Sequence, residues 1–578
     1  MNRLSAAALC LLIATGCGDN SGSDTPKGHE KDVVFVSGAL LIPGDGTPPV
    51  EEATMIIEDG MITKLGKKRE FFAPKGAYQV DLEGKSMTPL LVNLHAYPGL
   101  SNQKEFGAKN YNRESLSADL NRYGYYGVGA ILAAGDSDGL AYHLRDELRG
   151  GKATGAQLYT SGRGIAAKGG SGVLGSIPLL VTGDADARKA VSELADRNSD
   201  AIVVWADGMK AEASDAIIDE AHKRKLKVFA SAPGLAEAKN LVKANVDALI
   251  SSIRDREVDD ELVSMMKEKK IPLAPALTAL ESRFVYAEKT SWLGEHTMRE
   301  VYPGNLSAYL SDPAIMGKFR RNPQIGTFRQ EFATASKNLK TLADAGVPIA
   351  MGSGSGLIDT FPGYFEHREL ELMVKAGIAA MDAIKAATSV SAAVLGVNDY
   401  GVLAAGKKGN FVVYSSNPLE AITNSKDIES VYINGHLLDR LEMVRQIKVE
   451  KVQVSDADRA AERQLQEQEA EERADAGLRK YGKFPLGPNQ SVAVGLTVYT
   501  PKRSKVVSTG GPPYKVTVTN SRGSAAELKE FYSKVLPEAK WAAAGDCWEK
   551  PNPLQAGKKW RLCTEASQGQ ILLNISVQ

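Results

Sequence analysis

The stretch "TPLLVNLHAYPGL", residues 88–100, is a mostly apolar run that ends in an imidazole and a phenol. Such a run is typical of a strand that is buried on both faces. His95 and Tyr97 are two residues apart, so they lie on the same face of an extended chain. The first question that the sequence poses is whether this pair belongs to a metal site in which one ligand has been exchanged.

Short apolar runs of the same kind recur along the chain as far as residue 354. Amphipathic helical stretches, such as 187–197 and 235–245, separate most of them. This alternation predicts a parallel α/β architecture, and its length suits a (βα)8 TIM-like barrel over residues 89–404. A doubly wound sheet has the same periodicity and stays open as an alternative. The runs are 127–135, 157–162, 200–208, 226–232, 246–252, 271–278 and 347–354.

The segments on both sides of the predicted barrel are rich in strand patterns. Asp59-Gly60 and Asn434-Gly435 each separate two apolar runs, and both pairs predict a two-residue hairpin turn. We therefore expect one small composite β-sandwich domain built from both flanks, residues 33–88 and 405–448.

The C-terminal part of the chain has a different composition. Residues 449–482 are charged and rich in helix formers without an apolar heptad, which predicts an exposed helical linker. Residues 483–578 predict a separate small α/β domain, in which Ser524 and Glu527 have the spacing of a capping box. If the protein is exported, Cys547 and Cys563 are expected to form a disulfide.

The N-terminus predicts export. Residues 1–16 combine Arg3 with a short apolar stretch, as in a signal peptide, and Ala14 to Cys17 resemble a bacterial lipobox. This predicts lipidation at Cys17, a polar tether over residues 17–32 and attachment to the periplasmic face of a membrane. The outer membrane is favoured, because the aspartate comes only at Asp19. An ordinary signal peptide with an unrelated cysteine is the alternative.

The composition limits the classes of partner. Seventy Lys and Arg residues balance seventy Asp and Glu residues, so the formal net charge is zero. This balance does not favour nucleic acid as a partner. We expect an unidentified small-molecule or peptide ligand, and we name an envelope protein bound by the C-terminal domain as a second candidate partner.

From about residue 33 to 440 the chain resembles the metal-dependent amidohydrolase superfamily, closest to its imidazolonepropionase-like and Xaa-Pro dipeptidase-like members. The motifs that carry the resemblance occur in the family's order. They are "EDGMITKLG" (58–66), "MTPLLVNLHAYPGL" (87–100), "FEHRELELMVKAGIAAMDAIKAATSVSAAVLGV" (365–397) and "GVLAAGKKGNFVVY" (401–414). The resemblance implies a barrel whose histidines and carboxylates hold one or two metal ions that activate water.

Five of the six metal-ligand positions that the resemblance implies have lost their ligand. Only His95 keeps a residue of the expected type. A catalytic zinc needs three protein ligands and an open position, so the sequence predicts no metal cofactor, with a single divalent ion such as zinc as the alternative. The vacated positions are Tyr97, Val203, Ser231, Ser251 and Gly354.

These losses predict a non-catalytic binding or scaffolding lipoprotein with an amidohydrolase fold. The alternative is an active hydrolase of C–N bonds in amides, lactams or dipeptides that uses a non-standard or mononuclear site. No catalytic residue is assigned. The candidate pocket consists of His95, Tyr97, Asp207, Ser231, Ser251 and Ser353.

Overall fold

The computed structural model describes most of the chain and divides it into two compact units, one ending at Val454 and the other beginning at Ser455. The predicted signal peptide, Cys17 and nearly all of the predicted tether lie outside the described residues. Those residues are 32–102, 105–136, 139–170, 174–447, 452–477, 490–493, 496–498, 501, 504–508, 514–520, 524–552, 556–567 and 570–578.

Both flanks of the barrel contribute to one eight-stranded sheet. Strand β14 from the second flank pairs antiparallel with β5 from the first, and both hairpin turns form as predicted. Asp59 and Gly60 have φ values of 48° and 80°, which suits a turn with two left-handed residues. The strands are β1 Val33–Leu41, β2 Val50–Glu58, β3 Met61–Lys67, β4 Tyr78–Asp81, β5 Ser86–Pro89, β14 Phe411–Tyr414, β15 Ile428–Ile433 and β16 His436–Leu437.

The middle of the chain forms the predicted parallel barrel. Neighbouring strands pair in parallel, and single parallel bridges connect Leu249 to Leu273 and Leu273 to Ile349. A further parallel bridge from Ala96 to Ser355 closes the ring. The named strands are β6 Leu91–Ala96, β7 Val128–Ala133, β8 Gln157–Thr160, β9 Ile165–Ala167, β10 Leu179–Val181, β11 Ile202–Trp205, β12 Val228–Ser231 and β13 Ala248–Leu249.

Helices surround the strands. The first of them begins at a capping box in which Asn112 and Ser115 satisfy each other's backbone N–H groups. The helices of the ring are α1 Arg113–Tyr125, α2 Leu140–Arg149, α3 Asp184–Asp196, α4 Ala211–Lys223, α5 Leu235–Lys243, α6 Asp260–Lys269, α11 Ile325–Asp344, α12 Tyr364–Lys375, α13 Ala380–Lys385 and α14 Ser391–Leu395.

A helical insertion lies between the seventh and eighth barrel strands. Its aromatic core, which includes Tyr286, Trp292 and Tyr302, packs against residues of α1 and α12. The Arg122 guanidinium of α1 also donates a hydrogen bond to the carbonyl of Val301, at 3.1 Å. The inserted helices are α7 Leu277–Glu281, α8 His296–Val301, α9 Leu306–Leu310 and α10 Pro313–Arg320, and α15 Arg440–Gln446 follows the composite sheet.

The second unit is a sheet with one packed helix. The apolar face of α17 is buried as its sequence pattern predicts, and Ser524 and Glu527 form the predicted capping box. Cys547 and Cys563 are directly opposite each other on β22 and β23 and form a disulfide. The elements are α16 Asp456–Gly477, β17 Gln490–Ala493, β18 Leu496–Val498, β19 Ser504–Ser508, β20 Tyr514–Asn520, α17 Ala525–Glu538, β21 Ala542–Ala544, β22 Cys547–Pro551, β23 Lys559–Ser567 and β24 Gln570–Val577.

Among the residues that the structure describes, no helix combines the length and the apolar character needed to cross a membrane.

Candidate functional site

The side chains of His95, Tyr97 and Trp205, at the ends of β6 and β11, form one hydrogen-bonded row. His95 Nε2 lies 2.7 Å from the hydroxyl oxygen of Tyr97, and the indole N–H of Trp205 donates to the same oxygen at 3.0 Å. All three side chains are buried. Because Trp205 ends β11, this row joins the first barrel strand to the fourth.

The row is uncharged at neutral pH. Burial lowers the pKa of His95 to about 4, and the backbone of Ile250 offsets this only in part. Burial also raises the pKa of the Tyr97 phenol well above its usual value, although the Trp205 N–H lowers it slightly. With Trp205 as donor, the Tyr97 hydroxyl satisfies its own hydrogen by donating to His95 Nε2. We therefore assign the imidazole hydrogen to Nδ1.

Two buried polar atoms near this row have no hydrogen-bond partner among the described residues. They are Nδ1 of His95 and the hydroxyl oxygen of Ser251. The backbone of Ile250, next to Ser251, is the group that acts on His95. Buried polar atoms without a partner are uncommon in native proteins. Since the Ile250 backbone already acts on the imidazole, the Ser251 hydroxyl is the point at which a bound molecule could supply a hydrogen bond.

The other vacated ligand positions supply little chemistry. Val203 is fully buried in β11 and has no donor atom. Ser231 ends β12, is half-buried and is paired in register with Trp205. Its hydroxyl is a poor ligand for a hydrolytic metal ion, which prefers imidazole nitrogens and carboxylate oxygens.

Gly354 has a backbone conformation that suits glycine. Its φ is +67°, and a Cβ atom built there would lie 2.8 Å from the Cβ of Ala279. Its N–H donates to the carbonyl of His95 at 2.8 Å, so this position still lies beside the surviving histidine. The backbone here leaves no room for the aspartate that the resemblance implies.

Ser353 is part of a buried network around Glu366, a residue that the sequence interpretation missed. One carboxylate oxygen of Glu366 accepts hydrogen bonds from Asn93 at 2.6 Å, Ser353 at 2.5 Å and Ser355 at 2.7 Å. The other accepts from the N–H of Gly363 at 2.7 Å. Burial raises the pKa of Glu366, and these donors offset that effect in part. Ser353 is thus engaged by a carboxylate.

A signal for Glu366 was present in the sequence. It is the third residue after Gly363 at the start of α12, the spacing at which a glutamate caps the N-terminus of its own helix. What the sequence could not show is that the same carboxylate reaches Asn93, because 273 residues separate the two.

Asp207 lies apart from this network. It follows β11 by two residues and is exposed. The structure therefore brings together only part of the predicted pocket. His95 and Tyr97 are in contact, whereas Ser353 donates its hydrogen bond to Glu366. Asp207 faces solvent.

The residues at the family's ligand positions do not fit a metal ion. Tyr97 occupies Nε2 of the one imidazole, and burial disfavours the phenolate that could bind a metal. Across the described ranges, no group of three or more His, Cys, Asp or Glu residues is arranged to hold a metal ion. The polar side chains at these positions are neutral and act as hydrogen-bonding groups.

The comparisons with known proteins agree with this fold. Residues 192–438 match the model of the amidohydrolase family. No curated protein sequence gives a significant match.

Several solved structures share the architecture. A candidate prolidase from Bifidobacterium longum is 23% identical with a TM-score of 0.58, and the match covers 72% of this chain and 98% of that one. A Xaa-Pro dipeptidase with methionine bound in its active site is 20% identical (TM-score 0.56; 70% and 99% covered). Molinate hydrolase is 19% identical (TM-score 0.56; 74% and 100% covered). The family match thus identifies an amidohydrolase-family domain over residues 192–438, and these structures share their fold with about 70% of the chain.

Proposed function

We propose that this protein is a metal-free binding or scaffolding lipoprotein of the cell envelope, in which an amidohydrolase barrel serves recognition and not hydrolysis. The observation that carries the proposal is the Tyr97 hydroxyl, which lies 2.7 Å from His95 Nε2 and accepts the indole N–H of Trp205. This arrangement uses Nε2 of the imidazole and the oxygen of the phenol, and the assigned tautomer places a hydrogen on Nδ1, so neither nitrogen of the imidazole presents a free lone pair to a metal.

The substitutions around this row support the same proposal. A mononuclear site would still need two more protein ligands beside His95. Val203 offers no donor atom, and the conformation of Gly354 excludes a carboxylate side chain without backbone rearrangement. Envelope attachment is proposed from the lipobox-like residues that end at Cys17.

The decisive experiment is metal analysis of the purified protein together with its thermal stability. We expect well under one equivalent of zinc, manganese, iron or nickel, and no rise in melting temperature when any of these is added. Binding of a metal to the native state would raise the melting temperature by mass action. Stoichiometric, tightly bound metal would overturn the proposal.

Tyr97→His sharpens this experiment, because it restores the pair of histidines two residues apart. We expect this variant also to stay free of metal, because the remaining ligand positions still lack donors. Metal uptake by Tyr97→His, but not by the parent protein, would identify Tyr97 as the one block to binding and would contradict the proposal that the whole site is lost.

A further inference from the structure

Two arginines lie at the end of the barrel where the strands terminate. Arg254 follows β13, and its backbone N–H donates to the carbonyl of Pro233, just after β12. Arg283 comes shortly after α7, which begins the insertion behind the seventh strand. Active sites and ligand sites of (βα)8 barrels form at this carboxyl-terminal end.

The two guanidinium groups share a single carboxylate. Arg283 Nη1 lies 2.7 Å from Glu331 Oε2, and Arg254 Nε lies 3.4 Å from the same oxygen without the alignment of a hydrogen bond. Asp207, near the end of β11, attracts Arg254 electrostatically, but in the described part of the chain no ion pair joins it to either arginine. The group therefore has one closely held carboxylate for two cations.

Few negative charges lie near the Arg254 guanidinium, although its side chain is mostly buried. Its side chain is 24% exposed, and its buried Nε makes no hydrogen bond with any described residue. Burial lowers the pKa of Arg254, and the Arg283 guanidinium lowers it further, while Glu331 acts in the opposite direction. A cation in this position is stabilised when another molecule supplies acceptor oxygens.

Another arginine of the same barrel, Arg368, is fully paired with carboxylates and serves as a comparison. Arg368 uses Nε and Nη2 for Glu281 and Nη1 for Glu371, at distances between 2.5 and 2.9 Å. These carboxylates raise the pKa of Arg368 despite its burial. Arg254 lacks such partners although it lies at the functional end of the barrel.

We propose that Arg254, with Arg283 beside it, binds the carboxylate of a ligand at the mouth of the barrel. The inference rests on the proposed ligand-binding function and names its ligand class, a small molecule or peptide with one carboxylate. A guanidinium presents N–H donors in a fork that matches carboxylate oxygens. Glu331 already balances one of the two cations, so a monoanion fits best.

The test compares N-acetyl-L-leucine with its neutral amide by isothermal titration of the full chain. We expect the acid to bind and the amide to bind at least about tenfold more weakly, because only the acid can form the charged pair. Arg254→Gln should reduce the affinity for the acid to that for the amide. Arg256→Gln is the matched control in the same loop, since Arg256 is 71% exposed and pairs with the adjacent Asp255. It should leave the affinity unchanged.

A variant that is expected to bind more tightly distinguishes a specific effect on the site from misfolding. Glu331→Gln removes the carboxylate that competes with the ligand, so the acid should bind more tightly, which a damaged protein would not do. Equal affinity for acid and amide, no binding of the acid, or equal effects of Arg254→Gln and Arg256→Gln would overturn the inference.

The same samples separate this inference from the proposed function. Tightly bound metal, or release of acetate from N-acetyl-L-leucine, would contradict a metal-free, non-catalytic protein. The difference between the Arg254 and Arg256 variants would still decide whether Arg254 binds the carboxylate.

Discussion

Gly354 stands at the position where the resemblance implies a metal-binding aspartate. Its left-handed backbone brings the chain close to Ala279 and still allows its N–H to reach the carbonyl of His95. A side chain at Gly354 meets both a conformational and a steric penalty.

This reasoning predicts that Gly354→Ala costs more stability than a glycine replacement with the same φ in open space. Gly208 provides the control, because its φ is +68° and nothing lies within 4 Å of a Cβ atom built there. We expect Gly208→Ala to cost about 1 kcal/mol through its backbone alone. Gly354→Ala should cost at least about 1 kcal/mol more, owing to the contact with Ala279. Denaturant unfolding measures both, and equal costs would contradict the steric argument.

The residues around His95 show how far sequence interpretation reaches. The sequence motifs predict six ligand positions from the resemblance alone, and this assignment stays a prediction. The hydrogen-bond partners could not be predicted, since Trp205 is 108 residues from Tyr97 and its indole reaches Tyr97 only once the barrel closes. Likewise, no local pattern placed Arg254 next to Glu331.

A second prediction at this scale concerns Glu369 and pH. Its buried carboxyl accepts hydrogen bonds from the backbone N–H groups of Leu277 and Thr278, at 2.8 and 2.7 Å. Burial raises the pKa of Glu369 to about 7, and Glu281 adds to the effect. The native protein thus binds more protons than the unfolded chain between pH 4.5 and 7. The stability that this group contributes is complete below pH 4.5 and is lost as the pH rises through 7.

Glu369→Gln should remove this dependence. The free energy of unfolding of the parent, relative to the variant, should fall by about 3 kcal/mol from pH 4.5 to 7.5. Taking the difference cancels the opposite contribution of the buried histidines, whose pKa values of about 4 reduce stability as the pH falls below 6.5. Glu193→Gln, at an exposed position on α3, is the control. A pH profile unaffected by Glu369→Gln would contradict the prediction.

At the scale of elements, a chain of buried ion pairs holds α12 to its neighbours. Lys426 Nζ lies 2.7 Å from Glu295 of the insertion and 2.8 Å from Glu371 of α12. Glu371 in turn pairs with Arg368 at 2.5 Å. The sequence revealed α12 as a helix by its family motif. It could not reveal these pairs, because their members come from three separate segments.

This chain of pairs predicts a large cost for Lys426→Met. Removing one member of a buried pair leaves the other charges unpaired, so we expect a loss of about 3 to 5 kcal/mol. Lys408→Met is the matched control, since Lys408 pairs with Asp399 at 2.9 Å but these side chains are 36% and 54% exposed, against 8% and 5% for Lys426 and Glu371. It should cost less than about 1 kcal/mol. Thermal and denaturant unfolding measure both, and a small loss for Lys426→Met would show that the buried pairs do not hold the insertion.

At the scale of the whole molecule, the sequence predicted the architecture better than the site. Strand–helix alternation is a periodic signal that burial on both faces of a parallel sheet imposes over many residues. The closure of the barrel was harder to foresee, because a doubly wound sheet has the same periodicity, and only the folded chain shows the bridge from Ala96 to Ser355 that joins the first strand to the last. The joining of both flanks in one domain followed from the hairpin patterns that flank the barrel. Those patterns predicted a β-sandwich, however, and the strands of both flanks form a single hydrogen-bonded sheet.

The division into two units yields the last prediction. The disulfide between Cys547 and Cys563 lies wholly within the second unit and links residues 16 apart in sequence. Closing a loop of this size stabilises a domain by about 3 kcal/mol in the chain-entropy model. Replacing both cysteines with serine should therefore lower the melting transition of the second unit. The transition of the first unit should keep its midpoint, because that unit contains neither cysteine.

Scanning calorimetry of the parent and the double variant measures both transitions. The single substitution Ser533→Ala, on the exposed side of α17, is the control for a substitution in the same unit. A single transition that shifts as a whole in the double variant would show that the two units unfold together.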